Sequence, residues 1–454
     1  MSRSLMLPTV WTPGFQVHPW ILPRSHARES ALKAVEVPAP SHVSKADLSF
    51  TENRASATVS SNLSPLQNHI AIWINGFSST TSSSSIESPP SIILASIPQR
   101  APTNDEIKLL QSAFASFYGA EKDVAKAVEL LTQTIDVWET TRQGGDEIAG
   151  LYRVRGDAYM ELMQSANAEK DYGKAIALLD GEDGDKADPE ERPASRLGRA
   201  RAVRSMGSSA TVSQATQASK DYELYFTYVS RLDPDDDPSK IKDNFSEAIV
   251  DGIQRNPYAA WEWGMVNRAA GQYAKAAEIH RLSGNAFDEI GDKPRATICR
   301  LDEGIDLASG VKDDKVDAKV KNYLVEVIDS TPGVDGRDVQ LLQRVVAKEG
   351  EARIALSGLL WGSKEKGAAE SQLGTACARL DELNRDYNSR EQERIKKGGK
   401  GTPEMQKLGF SIDDIVGADE ASCSRFKNDQ FVENKVIWSQ NLRASVKKFL
   451  TLSK

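Results

Sequence analysis

The string AEKDVAKAVELL at residues 120–131 returns at residues 168–179 as AEKDYGKAIALL, with most of the twelve positions identical. A phrase written twice repeats either a chemical device or a building element. The residues around it decide. Ile107, Leu110, Phe114 and Phe117 recur at helical spacing ahead of the first copy. Val124, Ala127, Val128 and Leu131 do the same after a short break at Tyr118-Gly119. This reads as helix, turn, helix. The second copy follows another periodic stretch, LYRVRGDAYMELM, so the pair recurs. The phrase is therefore the second helix of a two-helix unit. Its alanines are small where a neighbouring helix approaches, and its Leu and Ile side chains fill the groove beyond.

The chain around this unit has 454 residues, 39% hydrophobic and 27% charged. Those figures suit a soluble folded protein of roughly two to four domains, or one long repeat array. No run of about 18 apolar residues is present, so no transmembrane helix is expected. The net charge of −8 argues against a phosphate-backbone ligand, which needs clustered Lys and Arg. Cys299, Cys377 and Cys423 stand far apart, with no CxxC pair. No disulfide framework is expected, and a reducing compartment, or buried thiols acting as small apolar residues, is the plain reading.

Residues 1–102 differ from the rest. They hold 20 serines, scattered prolines and only five acids, Glu29, Glu36, Asp47, Glu52 and Glu87. The piece SSTTSSSSIESPPS has no apolar period and cannot bury enough surface to offset the entropy of ordering. A disordered leader is expected. Ser-rich, acid-poor leaders resemble organelle transit peptides; the alternative is a tail with no address.

The helix pairs resemble tetratricopeptide (TPR) repeats, which carry Gly and Tyr in the first helix and Ala, Tyr, Ala in the second. One unit shows Tyr152, Gly156, Tyr159, Ala168, Tyr172 and Ala175. Another shows Trp261, Gly264, Gly271, Tyr273 and Ala276. Further candidates carry Leu197, Gly198, Ala218 and Tyr222, or Leu356, Ala369 and Ala376. GDKPRATICRLDEGIDLA adds a helix with Pro294 near its first turn. The two opening copies are 48 residues apart, against about 34 in the family, and acidic inserts such as DGEDGDKADPEERP account for the excess. The C-terminal stretch resembles the ending of some chloroplast TPR proteins, through Cys423, Phe426, Phe431, Trp438, Leu442 and Phe449. The prolines that follow the Trp in that family are replaced by Ser439 and Gln440.

No motif for chemistry stands out. His280 is the one histidine beyond residue 70, and its periodic surroundings read as packing. No zinc spacing, Walker A sequence or GxGxxG after a strand is present. LDPDDDPSK lacks the alternating ligands, central Gly and closing Glu of a calcium loop, and RIKKGGKG reads as a hinge. A clamp for an acidic C-terminus would need Lys and Asn on the first two inner faces. Ser112, Ser116 and Val154 stand there, and only Arg192 and Arg196 fit.

The resemblance implies an all-α, TPR-like helical-repeat solenoid of antiparallel helix pairs behind a disordered N-terminal leader. Residues 1–102 form the leader, 103–235 and 240–394 the helix pairs, and 395–454 a hinge and helical tail. A concave groove would hold another protein, with Arg153, Asp157, Arg199, Tyr258, Trp261, Met265 and Arg268 as its lining. Of Trp261 and Trp263, two apart on a helix, one must be core. The expected function is a non-enzymatic scaffold without cofactor, catalytic or metal site. The resemblance places it in a chloroplast, as an assembly or maintenance factor for thylakoid (photosystem) complexes, with peripheral membrane association. The alternatives are a cytoplasmic location, an RNA-associated organellar helical repeat, and an enzyme working through carboxylates alone. Residues 101–454 carry about ten more acids than bases, which disfavours nucleic acid.

Overall fold

The computed structural model describes residues 100–141, 145–181, 188–230, 241–242, 245–311, 318–334, 336, 339–396 and 423–452. The leader, the LDPDDDPSK linker and most of the RIKKGGKG run lie outside the described residues. The helices are α1 (Asn104–Tyr118), α2 (Val124–Thr141), α3 (Gly145–Glu161), α4 (Ser165–Leu179), α5 (Glu191–Met206), α6 (Val212–Val229) and α7 (Glu247–Arg255). They continue as α8 (Pro257–Ala269), α9 (Tyr273–Glu289), α10 (Lys293–Ser309), α11 (Ala318–Ser330), α12 (Val339–Gly362), α13 (Lys366–Lys396) and α14 (Gln440–Leu452). Among the described residues, strand structure is limited to a hairpin of Ile241–Lys242 with Phe245–Ser246. The protein is all-α, with consecutive helices packed in antiparallel pairs, as the resemblance implies.

One turn recurs at four places and accounts for most of this architecture. Met163, Gly271, Gly291 and Lys364 each have positive φ, between 59° and 80°. The following amide donates back to the carbonyl five residues earlier: Gln164 to Tyr159, Gln272 to Asn267, Asp292 to Phe287 and Glu365 to Leu360. This is the left-handed helix stop that satisfies the otherwise unpaired end carbonyls. The next helix begins two residues after the stop in every case. Seven residues before each stop stands a small residue, Gly156, Gly264, Gly284 or Ser357. Five residues after it stands a fully buried alanine, Ala168, Ala276, Ala296 or Ala369. The small residues let the two helices close on each other across the turn. Gly271 and Gly291 meet no atom that a side chain would disturb, so backbone conformation alone selects glycine there.

The quoted phrase sits differently in its two copies. The first opens in the turn, where Asp123 accepts from the Lys126 amide at 3.0 Å and α2 starts at Val124. The second is helical throughout, because α4 starts at Ser165. Ala127 and Ala168 are each the fourth residue of their helix, and both are buried. In the phrase, however, Ala168 corresponds to exposed Ala120. The copies are thus shifted by seven residues, which is close to two helical turns. The same face is apolar in either register, so identity of letters does not give identity of place.

Two large apolar clusters hold the array together. One joins α5 to α9 around Tyr222, Phe226, Trp263 and Ile279. The other joins α10 to α14 and includes the tail residues Phe426, Trp438, Leu442 and Phe449. The cysteine expectation is overturned here. Cys377 on α13 and Cys423 at the start of the tail form a disulfide, with Cα atoms 4.8 Å apart and 46 residues between them in sequence. Sequence spacing was uninformative because α13 and the tail are adjacent only in the folded chain. Closing a loop of this length removes on the order of 4 kcal/mol of chain entropy from the unfolded state. Cys299 is free and buried.

A methyl group built on Gly264 would stand 2.3 Å from His280 Nε2. Gly264→Ala should therefore cost about 1–3 kcal/mol through overpacking, while Met163→Gly should add about 0.5–1 kcal/mol by relieving the left-handed backbone. Urea denaturation of both variants checks these opposite signs.

Candidate functional site

Asn256 fixes the start of α8. Its side chain accepts from the Ala259 amide at 3.2 Å and donates to the Tyr225 hydroxyl at 2.9 Å. Pro257 supplies a first-turn residue that needs no amide partner. With the start fixed, Tyr258, Trp261, Met265 and Arg268 fall on one face. That face meets α10, whose start is capped by Asp292. The two helices and α12 leave a cleft of about 520 Å³ between them. Tyr258, Trp261, Phe287, Ile298 and Leu341 give it apolar walls; Arg295, Arg344, Lys348 and Glu351 supply charge. Tyr258 and Trp261 pack at a tilt, ring centroids 5.6 Å apart. The Arg204 guanidinium of α5 lies 5.0 Å from the centre of the Trp261 ring.

Beneath the cleft runs a buried polar network. The Trp261 indole N–H donates to Asp302 Oδ2 at 2.9 Å. Arg268 donates to Asp302 Oδ1 at 2.9 Å and to Asp306 Oδ1 at 2.5 Å. His280 Nδ1 lies 2.6 Å from Asp306 Oδ2. Lys348 Nζ sits 3.2 Å from Asp302 Oδ1 and 2.8 Å from Glu351 Oε2. Glu351 Oε1 in turn accepts from the Trp438 indole of the tail at 3.2 Å. Burial pushes the Asp302 carboxyl up, yet Lys348, Arg268, His280 and the Trp261 hydrogen bond outweigh it and hold the group well below the usual carboxylate range. Burial drives the Cys299 thiol in the cleft wall far above its ordinary value. That sulfur acts as a small apolar group.

The seven residues expected to line a groove divide into three sets. Tyr258, Trp261, Met265 and Arg268 do come together, but only Tyr258 and Trp261 reach the cleft. Met265 packs with Phe287 and Ala296, and Arg268 is buried in the network below. Arg153 bridges helices, donating to Glu191 at 2.6 and 3.0 Å and to Asp157 at 2.9 Å. Asp157 also takes the Tyr172 hydroxyl at 2.6 Å. Arg199 forms a two-pronged pair with buried Asp221, both contacts 2.7 Å. Trp263 is the core member of its pair, donating to Ser219 at 3.0 Å and packing on Phe226 and Phe245.

The residues missed from sequence are Asp302, Asp306, Lys348, Glu351 and Trp438. A signal for two of them was present. Asp302 and Asp306 are four apart in a helix whose remaining positions are mostly apolar or small, and acids on a buried face need cationic partners. Those partners come from α8 and α12, which sequence order does not reveal.

Asp302 and Asp306 converge as a carboxylate enzyme would require, but Arg268, Lys348, His280 and Trp261 engage both. Among the described residues, no group of three or more His, Cys, Asp or Glu could hold a metal ion. No described helix is long and apolar enough to cross a membrane. Comparison with family models, curated proteins and solved structures finds no match to this chain.

Arg268→Met would leave two buried acids short of a partner and should cost about 3–5 kcal/mol. Because the native Asp302 carboxyl is depressed, its stabilisation is complete above about pH 4 and is lost as pH falls below that. Lys348→Met, which removes the strongest opposing charge, should shift acid unfolding to higher pH, as followed by circular dichroism.

Proposed function

We propose that this chain is a non-enzymatic scaffold that holds another polypeptide in the cleft between α8, α10 and α12. The observation that carries this reading is the open, aromatic-walled cleft itself, with Tyr258 and Trp261 on one side and Arg295 and Arg344 at the charged part of its lining. Aromatic and Arg side chains are the usual anchors where proteins meet. Trp261 is oriented in advance by its bond to Asp302, so little side-chain freedom is lost on binding. The acids under the cleft are matched by cations, an arrangement suited to fixing a surface rather than to moving protons.

The Ser-rich leader and the tail's likeness to chloroplast TPR proteins support an organellar setting. There the protein would assist assembly or maintenance of thylakoid complexes, with any membrane association peripheral. The RNA-associated alternative finds less support. Five arginines line α5, Arg192, Arg196, Arg199, Arg201 and Arg204, and each is paired with Asp180, Asp221 or Glu262.

Tagged protein and its Tyr258→Ala variant should be used in parallel for affinity purification and quantitative mass spectrometry. The expected result is recovery of photosystem or other thylakoid subunits, reduced roughly tenfold in the variant, as loss of one interface anchor can do. Equal recovery by both proteins would remove the cleft from the reading, and recovery of ribosomal RNA–protein particles would favour the alternative.

A further inference from the structure

We propose that Cys377 and Cys423 form a redox-operated clasp, opened by a dithiol reductant, that sets the state of the cleft through the hydrogen bond between Trp438 and Glu351. This regulation rests on the cleft being the binding site.

The clasp is accessible where the other thiol is not. Both of its cysteines are half-buried, whereas Cys299 is sealed in the wall between α9 and α10. Opening it follows ordinary thiol–disulfide exchange. A thiolate of the reductant attacks one sulfur, the S–S bond breaks, and the released cysteine sulfur takes up a proton. The reductant's second thiol then displaces the other cysteine from the mixed disulfide. The protein gains two electrons and two protons as two thiols, and the reductant leaves as a disulfide.

A continuous series of contacts leads from the clasp to the cleft. Cys423 opens a single helical turn, Cys423–Lys427. Phe426 in that turn stacks on Trp438, ring centroids 5.7 Å apart, and Phe431 meets Phe426 edge-on at 5.6 Å. The Trp438 N–H holds Glu351, Glu351 holds Lys348, Lys348 holds Asp302, and Asp302 holds the indole of Trp261. Glu351 and Lys348 themselves line the cleft. With the disulfide intact, the turn bearing Phe426 is tethered to α13, and the Trp438 indole is pinned against α12. With it reduced, that turn is held by packing alone. Glu351 then loses its indole donor more often, and a buried carboxylate short of a donor moves toward solvent. The solvent nearest to it is the cleft.

Hydrogen exchange followed by mass spectrometry tests this on the full chain without any partner. Peptide mapping without reductant should recover Cys377 and Cys423 as a linked pair. Dithiothreitol, or the double substitution Cys377→Ser and Cys423→Ser, should speed exchange in residues 423–452 roughly tenfold, with a smaller rise in 341–351 and 258–265. Trp438→Phe should raise exchange in 341–351 while the disulfide stays intact. Absence of the linked peptide would overturn the clasp. Faster exchange confined to the tail, or no effect of Trp438→Phe on 341–351, would overturn its connection to the cleft. None of these readouts depends on capture of a partner. The clasp can therefore stand if the binding reading falls, and the binding reading can stand if the clasp falls.

Discussion

Two helices can fold back on each other across a two-residue stop only where both are narrow at the crossing. Every well-formed hairpin in this chain obeys that constraint. A Gly or Ser precedes the stop by seven residues, and a buried Ala follows it by five. Backbone approach at these points sets which helix faces meet the next layer. The faces that meet place Tyr258 and Trp261 beside α10 and α12, and they bury Arg268 against Asp302 and Asp306. The cleft is thus a by-product of tight hairpins around it, and it needs no dedicated loop.

The polar network below the cleft answers a different demand. The face of α10 that carries Asp302 and Asp306 is enclosed by α8, α9 and α12, so its acids must be met inside the protein. Such pairs add little net stability compared with an apolar core, but losing one partner is severe. They also fix geometry, because a guanidinium shared between two carboxylates tolerates few arrangements. The orientation of Trp261 is set by that geometry rather than by van der Waals contact alone.

Much of the fold was legible from letters. Helical periodicity located α1 to α4, and the Gly-Ala signature marked the pairs. Pro294 marked the start of α10, and the aromatic residues of the tail proved to be core. The repeated phrase was the exception. It identified the right kind of element but misplaced its register, since an apolar stripe looks alike after two turns. The site was less legible. Facing directions from the repeat pattern grouped Tyr258, Trp261, Met265 and Arg268 correctly, but they could not say that α10 and α12 cover the last two. Contacts between residues far apart in sequence, such as Trp438 with Glu351 and Cys377 with Cys423, leave no local pattern to read.

Helix α9 is the second member of the hairpin turned at Gly271 and the first member of the one turned at Gly291. Successive helices here alternate in direction, so removal of any single one would reverse the polarity of all that follow. Only even numbers can be gained or lost without inverting the remainder. Variation in length among descendants of this chain is therefore confined to whole pairs, or to the connections at the ends of the helices.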